Sequence, residues 1–348
     1  MEWTIFLVLA VAVAGGLIGL RLKLPAGAML GAMIAVAIFT VVTDLQVIPP
    51  WFKVCAQMVS GGYIGTTMTR ESLHQMKKVA PAIVFLLLGM LVINVTVAFI
   101  LHLTSPLDLV TCLFATAPGG MTDMTIISDD MGANSPIVSV FQVCRMSLAI
   151  STFPLIIPRL CGIEGAGGRR KKGKKKAQPL SGEQKKKLAL TILVAFCSGL
   201  LGYKSGLPGG TMLFAVIGVS TTKLVWNIGF IPLKVKQGAQ MISGSFIGAK
   251  ITMATVSLIA SMWYNVVLVI GIFFPMCLGL GWLMHKVCKI DLLTGLYCSA
   301  PAGASEMALI ASDVGADGPN VAILQISRML GVIAFFPSIF TMLLRLVG

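Results

Sequence analysis

The amino-acid sequence predicts an all-α polytopic membrane protein made of two inverted-topology repeats, each with about five transmembrane helices and one re-entrant hairpin. The first observation behind this prediction is composition: of 348 residues, 56% are hydrophobic and only 11% are charged. A soluble protein of this length cannot bury so much apolar surface, whereas membrane helices require it. The second observation is an internal repeat, and the third is the distribution of positive charge.

The repeat is clearest between residues 117–146 and 300–329, which are separated by a constant offset of 183 positions. Thirteen of the 30 aligned residues are identical. An ungapped repeat of this length indicates one ancestral unit used twice. We therefore divide the chain into a first membrane repeat (1–163), a basic linker (164–183) and a second membrane repeat (184–348).

Apolar segments in the first repeat define its predicted crossings. Four of them have about the length needed to span a bilayer: 3–20, 26–43, 82–103 and 135–157. Two shorter stretches remain, a Gly-rich one at 54–69 and one at 109–131 that is interrupted by Pro118-Gly119-Gly120. The arms of the interrupted stretch each reach across about half a bilayer. We therefore predict that 54–69 crosses the membrane and that 109–131 re-enters it.

Positive charge predicts how the two repeats are oriented. Ten of the 27 Lys and Arg residues lie in 169–187, which places the linker in the cytoplasm by the positive-inside rule. The segment 70–78, predicted as a loop, carries three bases, whereas its equivalent in the second repeat, 253–261, carries none. The loop after residue 103 has no base, whereas its equivalent has Lys286 and Lys289. Equivalent loops of opposite charge predict that the second repeat is inverted relative to the first.

The interrupted segments carry the candidate substrate site. Inverted repeats with broken membrane segments are typical of secondary transporters, in which half-helix ends meet near the middle of the bilayer. The second arm of each hairpin begins just after the break, so that its free N–H groups and positive dipole end would face a ligand. The predicted substrate contacts at the two breaks are Pro118, Gly119, Gly120 and Thr122 in the first repeat and Gly303 and Ser305 in the second.

Carboxylates at matched positions are candidates for binding a coupling ion. Asp123 and Glu306 fall in the first turn of the second arm, where an acid can simply complement the helix dipole. Ionisable residues inside a membrane also mark ion paths, so these two acids could instead bind a proton or sodium. Asp130 and Asp313 lie at the far end of that arm, before a glycine, where solvated loop acids and coupling acids are both compatible with the pattern.

Two arginines give a sharper signal. Arg145 and Arg328 each lie nine residues after the proline that opens their helix, about 14 Å along its axis and so near the middle of the membrane. An Arg facing lipid there costs at least about 2.5–3.5 kcal/mol, so each requires a partner. That partner could be a matched carboxylate or an anionic substrate held by both guanidinium nitrogens. Gln142 and Gln325 lie three residues earlier on the same helix face and extend the polar seam.

Other residue classes point away from metal and nucleic-acid chemistry. The eight cysteines and three histidines show no ligand spacing, so we expect no metal and no cofactor. The basic run 169–187 is typical of a solvated, disordered segment that acts as a topology signal and attracts anionic membrane lipid. It lacks interleaved aromatic residues and a folded DNA-binding motif, so no nucleic-acid partner is expected.

The doubled motif resembles the AbrB-duplication family of bacterial inner-membrane proteins. The motif comprises Ala117-Pro118-Gly119-Gly120 with Asp123-Met124, and Ala300-Pro301-Ala302-Gly303 with Glu306-Met307, each followed by Gly-Ala, Gln and Arg. The resemblance implies two tandem membrane repeats, a multi-pass protein of the inner membrane and a carrier role. Names attached to the family include an ammonia monooxygenase and a regulator of gene expression. A monooxygenase requires copper or iron ligands, which this sequence does not offer at usable spacing, so we do not expect an enzyme.

The sequence thus predicts a secondary active transporter of a small organic anion, a carboxylate above all, coupled to protons or sodium. Alternating access would come from one bundle moving against the rest, with a homodimer as one arrangement that allows an elevator-like motion. The alternative is a membrane-bound regulatory protein that acts through its basic cytoplasmic linker.

Overall fold

A computed structural model describes the chain except for residues 1, 23, 25, 44–48, 163–180, 303 and 348, and its regular elements there are all helices. The helices of the first repeat are α1 (Glu2–Arg21), α2 (Gly27–Thr43), α3 (Trp51–Thr66), α4 (Arg70–Lys78), α5 (Ala80–Thr104), α6 (Leu109–Thr116), α7 (Met121–Asp130) and α8 (Ser135–Leu160). Those of the second are α9 (Gly182–Lys204), α10 (Gly210–Trp226), α11 (Leu233–Gly248), α12 (Met253–Ser261), α13 (Trp263–Cys288), α14 (Leu292–Ser299), α15 (Ala304–Asp313) and α16 (Gly318–Val347).

The internal repeat is visible in the helix boundaries. Helices α10 and α12 to α16 begin 183 residues after α2 and α4 to α8. Equivalent ends are also capped alike, because Asp108 accepts a hydrogen bond from the Thr111 amide at the start of α6 and Asp291 accepts one from the Thr294 amide at the start of α14. An Asp at this position satisfies one of the free N–H groups of a helix start. The predicted all-α fold with two repeats is confirmed.

Six of the described helices are long and apolar enough to cross a membrane by length and composition: α1, α5, α8, α9, α13 and α16. The apolar helices α2 and α10 are slightly shorter, with 17 residues each. The protein is therefore multi-pass. The count of five crossings per repeat also needs the 16-residue helices α3 and α11, and it stays a prediction, as does the inverted orientation.

Two predictions about loops were wrong. Residues 70–78 and 253–261 form helices α4 and α12, because Thr69 and Thr252 cap their first turns by accepting from the amides of Ser72 and Thr255. Helix α12 lies at 93° to α11.

The basic run was expected to be unstructured throughout, but Lys185, Lys186 and Lys187 lie in α9. The reason is a capping box formed by Ser181 and Gln184, which starts this helix inside the predicted linker. The rest of the run lies outside the described residues.

The helices form two bundles that cut across the repeats. Helices α1, α2, α3, α9, α10 and α11 pack together and are called the scaffold bundle. Helices α4 to α8 and α12 to α16 form the broken-helix bundle, which contains both interrupted segments and most of the hydrophobic core. Each repeat therefore contributes equivalent helices to each bundle.

Glycines allow the scaffold helices to approach closely. Helix α3 packs on α10, and a Cβ atom on Gly61 would lie 2.5 Å from the Met212 carbonyl oxygen. In the equivalent contact between α11 and α2, a Cβ on Gly244 would collide with the Met29 carbonyl. Small residues at such crossings are typical of membrane helix packing. The Gly-rich segments of α3 and α11 thus serve close packing.

The two bundles meet mainly where α7 contacts α3 and α11 and where α8 contacts α11. A separate apolar cluster fills this junction, with Met29, Met33 and Phe246 from the scaffold bundle against Met121 and Met146 from the other. Methionine side chains adapt easily to a changed neighbour. The junction is therefore narrow and rich in residues that tolerate repacking.

Candidate functional site

Each interrupted segment is divided into two short helices. In the first repeat, α6 ends at Thr116 and α7 begins at Met121, so that the predicted break at Pro118-Gly119-Gly120 lies between them. Pro118 is buried, and both glycines are half-buried. A Cβ on Gly119 would lie 2.5 Å from the Met124 side chain, and one on Gly120 would collide with the Asp123 carboxylate. Side chains of α7 thus fold back over the break and leave little room for a Cβ at either glycine, although the residue equivalent to Gly119 in the second repeat is Ala302.

A glutamine and an arginine of α8 bind the carbonyl end of α6. The Gln142 side-chain amide donates to the carbonyl oxygens of Phe114 (2.8 Å) and Ala117 (3.0 Å). One turn further on, Arg145 Nη1 donates to the carbonyls of Thr116 and Ala117, and Arg145 Nη2 donates to Gln142 Oε1 at 2.6 Å. We call Gln142 and Arg145, with their equivalents Gln325 and Arg328, the Gln–Arg clamps.

The second clamp repeats the first on α14. Gln325 Nε2 donates to the carbonyls of Tyr297 (2.8 Å) and Ala300 (3.2 Å), which are the residues equivalent to Phe114 and Ala117. Arg328 Nη1 donates to Ala300 O at 2.6 Å and Nη2 to Ala302 O at 3.0 Å. The Nη2 groups differ, because that of Arg145 bonds Gln142 Oε1 and that of Arg328 bonds the Ala302 carbonyl. Both Gln bonds, and the bond from Arg Nη1 to the carbonyl of Ala117 or Ala300, agree between the two sites to within a few tenths of an ångström. Such agreement means that the geometry belongs to the repeat unit and not to one copy.

The clamps place positive charge at the negative ends of two short helices. The last carbonyls of a helix lack intrahelical partners and carry about half a negative charge. All four clamp side chains are almost fully buried, and in the part of the chain that the structure describes no carboxylate forms an ion pair with either Arg. Backbone carbonyls are thus a third kind of partner, besides the carboxylate and the substrate that the sequence suggested. They offset only part of each guanidinium charge.

At each clamp, one nitrogen of the guanidinium group has no hydrogen-bond partner among the described atoms. Among the described atoms, Arg145 Nε and Arg328 Nε are buried and have no hydrogen-bond partner. The Arg145 guanidinium also lies 5.5 Å from the centre of the Phe273 ring, on α13 of the other repeat. Helix α6 packs on α16 and α14 on α8, so each break also contacts the long helix of the other repeat. The two clamps therefore belong to one region where the repeats meet.

Asp123 is buried at the start of α7, with 5% of its surface exposed. Its described hydrogen-bond partner is the hydroxyl of Thr122, which donates to Oδ1 at 3.2 Å, and no described Lys or Arg pairs with it. The carboxylate lies against Gly120 at the positive end of α7, as the helix-dipole interpretation requires. A buried carboxylate without a cation is costly, so the position is also compatible with an acid that binds a proton or sodium.

Some predicted residues of the second repeat fall outside the described part. Gly303 lies outside the described residues. Ser305, Glu306 and Asp313 belong to α15, and their side chains lie outside the described part of the structure. The neighbouring Pro301 is buried, as Pro118 is in the first repeat.

A further polar residue holds the first break and was missed by sequence reasoning. Asn94 of α5 is buried, and its side-chain amide donates to the Leu113 carbonyl (3.0 Å) and to the Thr116 hydroxyl (2.8 Å). The equivalent position in the second repeat is Cys277, which cannot make these bonds. An Asn in the middle of an apolar span was the available signal, because a polar side chain there needs a partner.

Asp130 lies far from the break, about 14 Å along α7 from Met121, and belongs to a different group of charges. Lys53 of α3 pairs with Asp129 at 2.8 Å and with Asp130 at 2.7 Å, and Lys250 pairs with Asp129 as well. The amide of Gln57 donates to Asp130 Oδ2 at 2.7 Å. We call Lys53, Asp129, Asp130 and Lys250 the ion cluster. It joins α3 of the scaffold bundle and the segment that follows α11, which supply the bases, to α7 of the broken-helix bundle, which supplies the acids.

The second repeat cannot form an equal cluster. Lys53 and Asp130 have the equivalents Lys236 and Asp313, but Ser312 replaces Asp129 and Thr67 replaces Lys250. In the structure, Lys236 Nζ lies 4.3 Å from the centre of the Tyr63 ring. The bundles are therefore joined by four charged side chains at the far end of the first broken segment. The equivalent positions of the second broken segment offer only one base and one acid, Lys236 and Asp313.

The helical fold, the candidate spans and the doubled clamp together define a multi-pass membrane protein with two tandem repeats. The chain belongs to the AbrB family: the family described as "Transition state regulatory protein AbrB" matches residues 1–161 and again residues 161–344. The resemblance drawn from the doubled motif is thereby confirmed.

Two relatives match over nearly their whole length. "Putative regulator AbrB" of Escherichia coli (strain K12) is 25% identical over 340 aligned residues, which cover 97% of this chain and 95% of that protein. "Uncharacterized protein YhjN" of Bacillus subtilis (strain 168) is 24% identical over 368 aligned positions, covering 98% and 93%.

Proposed function

We propose that this protein is a secondary active carrier of a small organic anion, with its substrate site at the two Gln–Arg clamps and the adjoining helix breaks. The observation that carries the proposal is the pair of buried guanidinium groups whose described partners are carbonyl oxygens. Carbonyl dipoles leave much of the charge of two cations uncompensated in a region of low dielectric. A small carboxylate would supply that charge, and Arg Nε with an Nη group forms the fork that binds carboxylates.

The helix breaks supply the second half of such a site. Amide groups at the start of α7 offer hydrogen-bond donors and a positive dipole end, which favours anions. Asp123 occupies that end in the present conformation. We propose that a proton or sodium ion neutralises Asp123 when the anion binds. Transport of the anion would then be coupled to transport of that ion. Glu306, Asp130 and Asp313 are the other proposed coupling acids, and Thr122 and Ser305 the hydroxyl contacts.

The division into two bundles supports a movement of one against the other. The junction between them is narrow and methionine-rich, whereas contacts within each bundle are extensive. In the proposed cycle the broken-helix bundle carries the substrate past the scaffold bundle, which would form the contacts of a homodimer. The ion cluster would hold one end state, because its four charges must separate before the bundles can slide. We further propose the inner membrane as the location, the cytoplasm for the basic linker and no enzymatic activity.

Uptake by proteoliposomes tests the carrier proposal. We expect Arg145→Ala and Arg328→Ala each to abolish uptake of radiolabelled dicarboxylates and monocarboxylates that the unmodified protein transports. Arg145→Lys should not restore it, because an ammonium group cannot bind two carbonyls and a carboxylate edge with a planar fork. The exposed Arg21→Gln is the matched control and should retain uptake. Unchanged uptake in both Arg→Ala variants would reject the role of the clamps.

A second candidate function follows from the name of the Escherichia coli relative, which calls that protein a regulator. A membrane-bound regulator would act through its basic linker. Deletion of residues 165–176 separates the two functions, because a carrier keeps its uptake without this segment and a regulator loses its effect on its targets.

A further inference from the structure

A cavity of about 310 Å³ lies between the scaffold bundle and the broken-helix bundle, and none of its lining residues belongs to the clamps. Its walls come from α10, including Ile217, Thr221 and Leu224, and from α16, including Ile333 and Ala334. Met68, just after α3, closes one end. Ile217 is 53% exposed and α10 and α16 are apolar helices, so the cavity opens sideways towards the lipid. Walls of this kind suit a hydrocarbon chain and offer water few partners.

Positive charge lies at one end of this cavity. Arg70 begins α4 two residues after Met68, and its Nε donates to the carbonyl of Leu224 (2.8 Å), a residue that lines the cavity. Its Nη2 donates to the next carbonyl, that of Val225, at 3.4 Å. The Arg70 side chain thus spans from α4 of one bundle to the end of α10 of the other. It is exposed, so part of the guanidinium remains available to a ligand.

The two helices that Arg70 connects carry further bases. Lys77 and Lys78 lie in the last turn of α4, which is exposed, and Lys223 lies in the last turn of α10. Glu71 is the one acid of α4. The positive-inside rule places this end of the cavity at the cytoplasmic leaflet, where anionic headgroups are concentrated. Basic pockets between membrane helices on that side are suited to phosphate headgroups.

We propose that this gap binds one anionic phospholipid of the surrounding leaflet, with an acyl chain between α10 and α16 and the headgroup phosphate at Arg70. An acyl chain lying in the gap would contact apolar side chains of both α10 and α16, and these dispersion contacts would hold it there. The phosphate replaces water at a guanidinium that is already oriented by two carbonyls. Because the lipid would touch both bundles, its occupancy would bias any movement between them, although its binding does not depend on the transported substrate.

Native mass spectrometry of the full-length protein tests this proposal. The detergent-purified protein would be titrated with phosphatidylglycerol and phosphatidylcholine of identical acyl chains. We expect one tightly held phosphatidylglycerol, and a loss of about fivefold in its affinity for Arg70→Gln with little change for phosphatidylcholine. Arg21→Gln, another exposed arginine on the predicted cytoplasmic side, is the matched control and should bind as the unmodified protein does.

Two variants address the acyl chain. Ala334→Phe fills the cavity from α16, and Thr221→Trp fills its mouth from an exposed position of α10 that tolerates a large side chain. Either variant, if it elutes as a folded protein, should lose the single tight lipid. Equal affinity for both lipids, an Arg70→Gln variant that binds like Arg21→Gln, or tight binding that survives in the folded cavity-filling variants would overturn the proposal.

Discussion

The ion cluster allows a quantitative prediction for Asp129→Asn, which removes one charge and keeps the shape of the side chain. Asp129 bonds Lys53 at 2.8 Å and also pairs with Lys250. The side chains of Lys53 and Asp129 are 12% and 7% exposed, whereas that of Lys250 is 45% exposed. The substitution therefore acts mainly on the ion pair between Lys53 and Asp129, which joins the two bundles and is largely shielded from solvent.

The expected loss follows from these exposures. A hydrogen bond between charged groups that are largely shielded from water contributes about 1.5–3 kcal/mol. The more exposed pair with Lys250 adds less than about 1 kcal/mol. We expect Asp129→Asn to weaken the contact between the bundles by about 2–3 kcal/mol, which is about a 30- to 150-fold change in an opening equilibrium.

Hydrogen–deuterium exchange of the peptides that cover α7 measures this change without any substrate. If the amides of α7 exchange only when the bundles separate, and if the bundles close again faster than an amide exchanges, the exchange rate is proportional to the opening equilibrium constant. Exchange of these amides should then accelerate by about 30- to 150-fold. Lys53→Met should accelerate exchange at least as much, since it removes the base that pairs with both Asp129 and Asp130. Glu71→Gln changes an exposed acid outside the ion cluster and should leave the exchange rates of the α7 amides unchanged. Unchanged exchange in both cluster variants would refute the idea that the cluster holds the bundles together.

Three further predictions concern single contacts. Gly244→Val should lower the free energy of unfolding by about 1–3 kcal/mol, because a Cβ there would collide with the Met29 carbonyl, and a thermal-shift assay should show a lower melting temperature. Gly271→Val should be tolerated in the same assay, because a Cβ at Gly271 has nothing within 4 Å. Asn94→Ala should cost about 1–3 kcal/mol by leaving the Leu113 carbonyl and the Thr116 hydroxyl without their donor, and Cys277→Ala, at the equivalent position, should cost less in the same assay. Asp123→Asn should make uptake insensitive to an imposed proton or sodium gradient; uptake that still follows the gradient would exclude Asp123 as the coupling acid.

The sequence predicted the helices well because the strongest signals are local. Apolar length set the long spans, and Pro118-Gly119-Gly120 set the break between α6 and α7 to within a residue or two. The helices α4 and α12 were missed because they are short and their caps, Thr69 and Thr252, resemble ordinary loop residues. Fold class and repeat are thus readable from pattern alone.

The partners of the predicted site residues were harder to obtain. Arg145 was expected to meet a carboxylate or a substrate, yet its described partners are two backbone carbonyls and the side-chain oxygen of Gln142. Every residue possesses a backbone carbonyl, so no sequence pattern marks the first two. Asp129 was not singled out, because its charged partners lie 76 and 121 residues away in the chain. The available clue was that Lys53 and Lys250 fall on the predicted outer side of the membrane, where few other Lys and Arg residues are expected.

The division into two bundles could not be predicted either. A repeat suggests two halves that each fold as a unit, but here α2 of the first repeat packs on α11 of the second, and α3 packs on α10. Exchange of equivalent helices between repeats depends on glycine-mediated contacts such as those of Gly61 and Gly244. These contacts are visible only when both partners are in place.

We propose that the two repeats lie in opposite orientation, so that their broken segments approach one region from opposite sides of the membrane. Single cysteines at Ser72 and at Lys286, in a variant without the eight native cysteines, test it most directly in intact cells. Both positions should resist a membrane-impermeant maleimide from outside and react after permeabilisation. Reaction of one position from outside and protection of the other would contradict the claim.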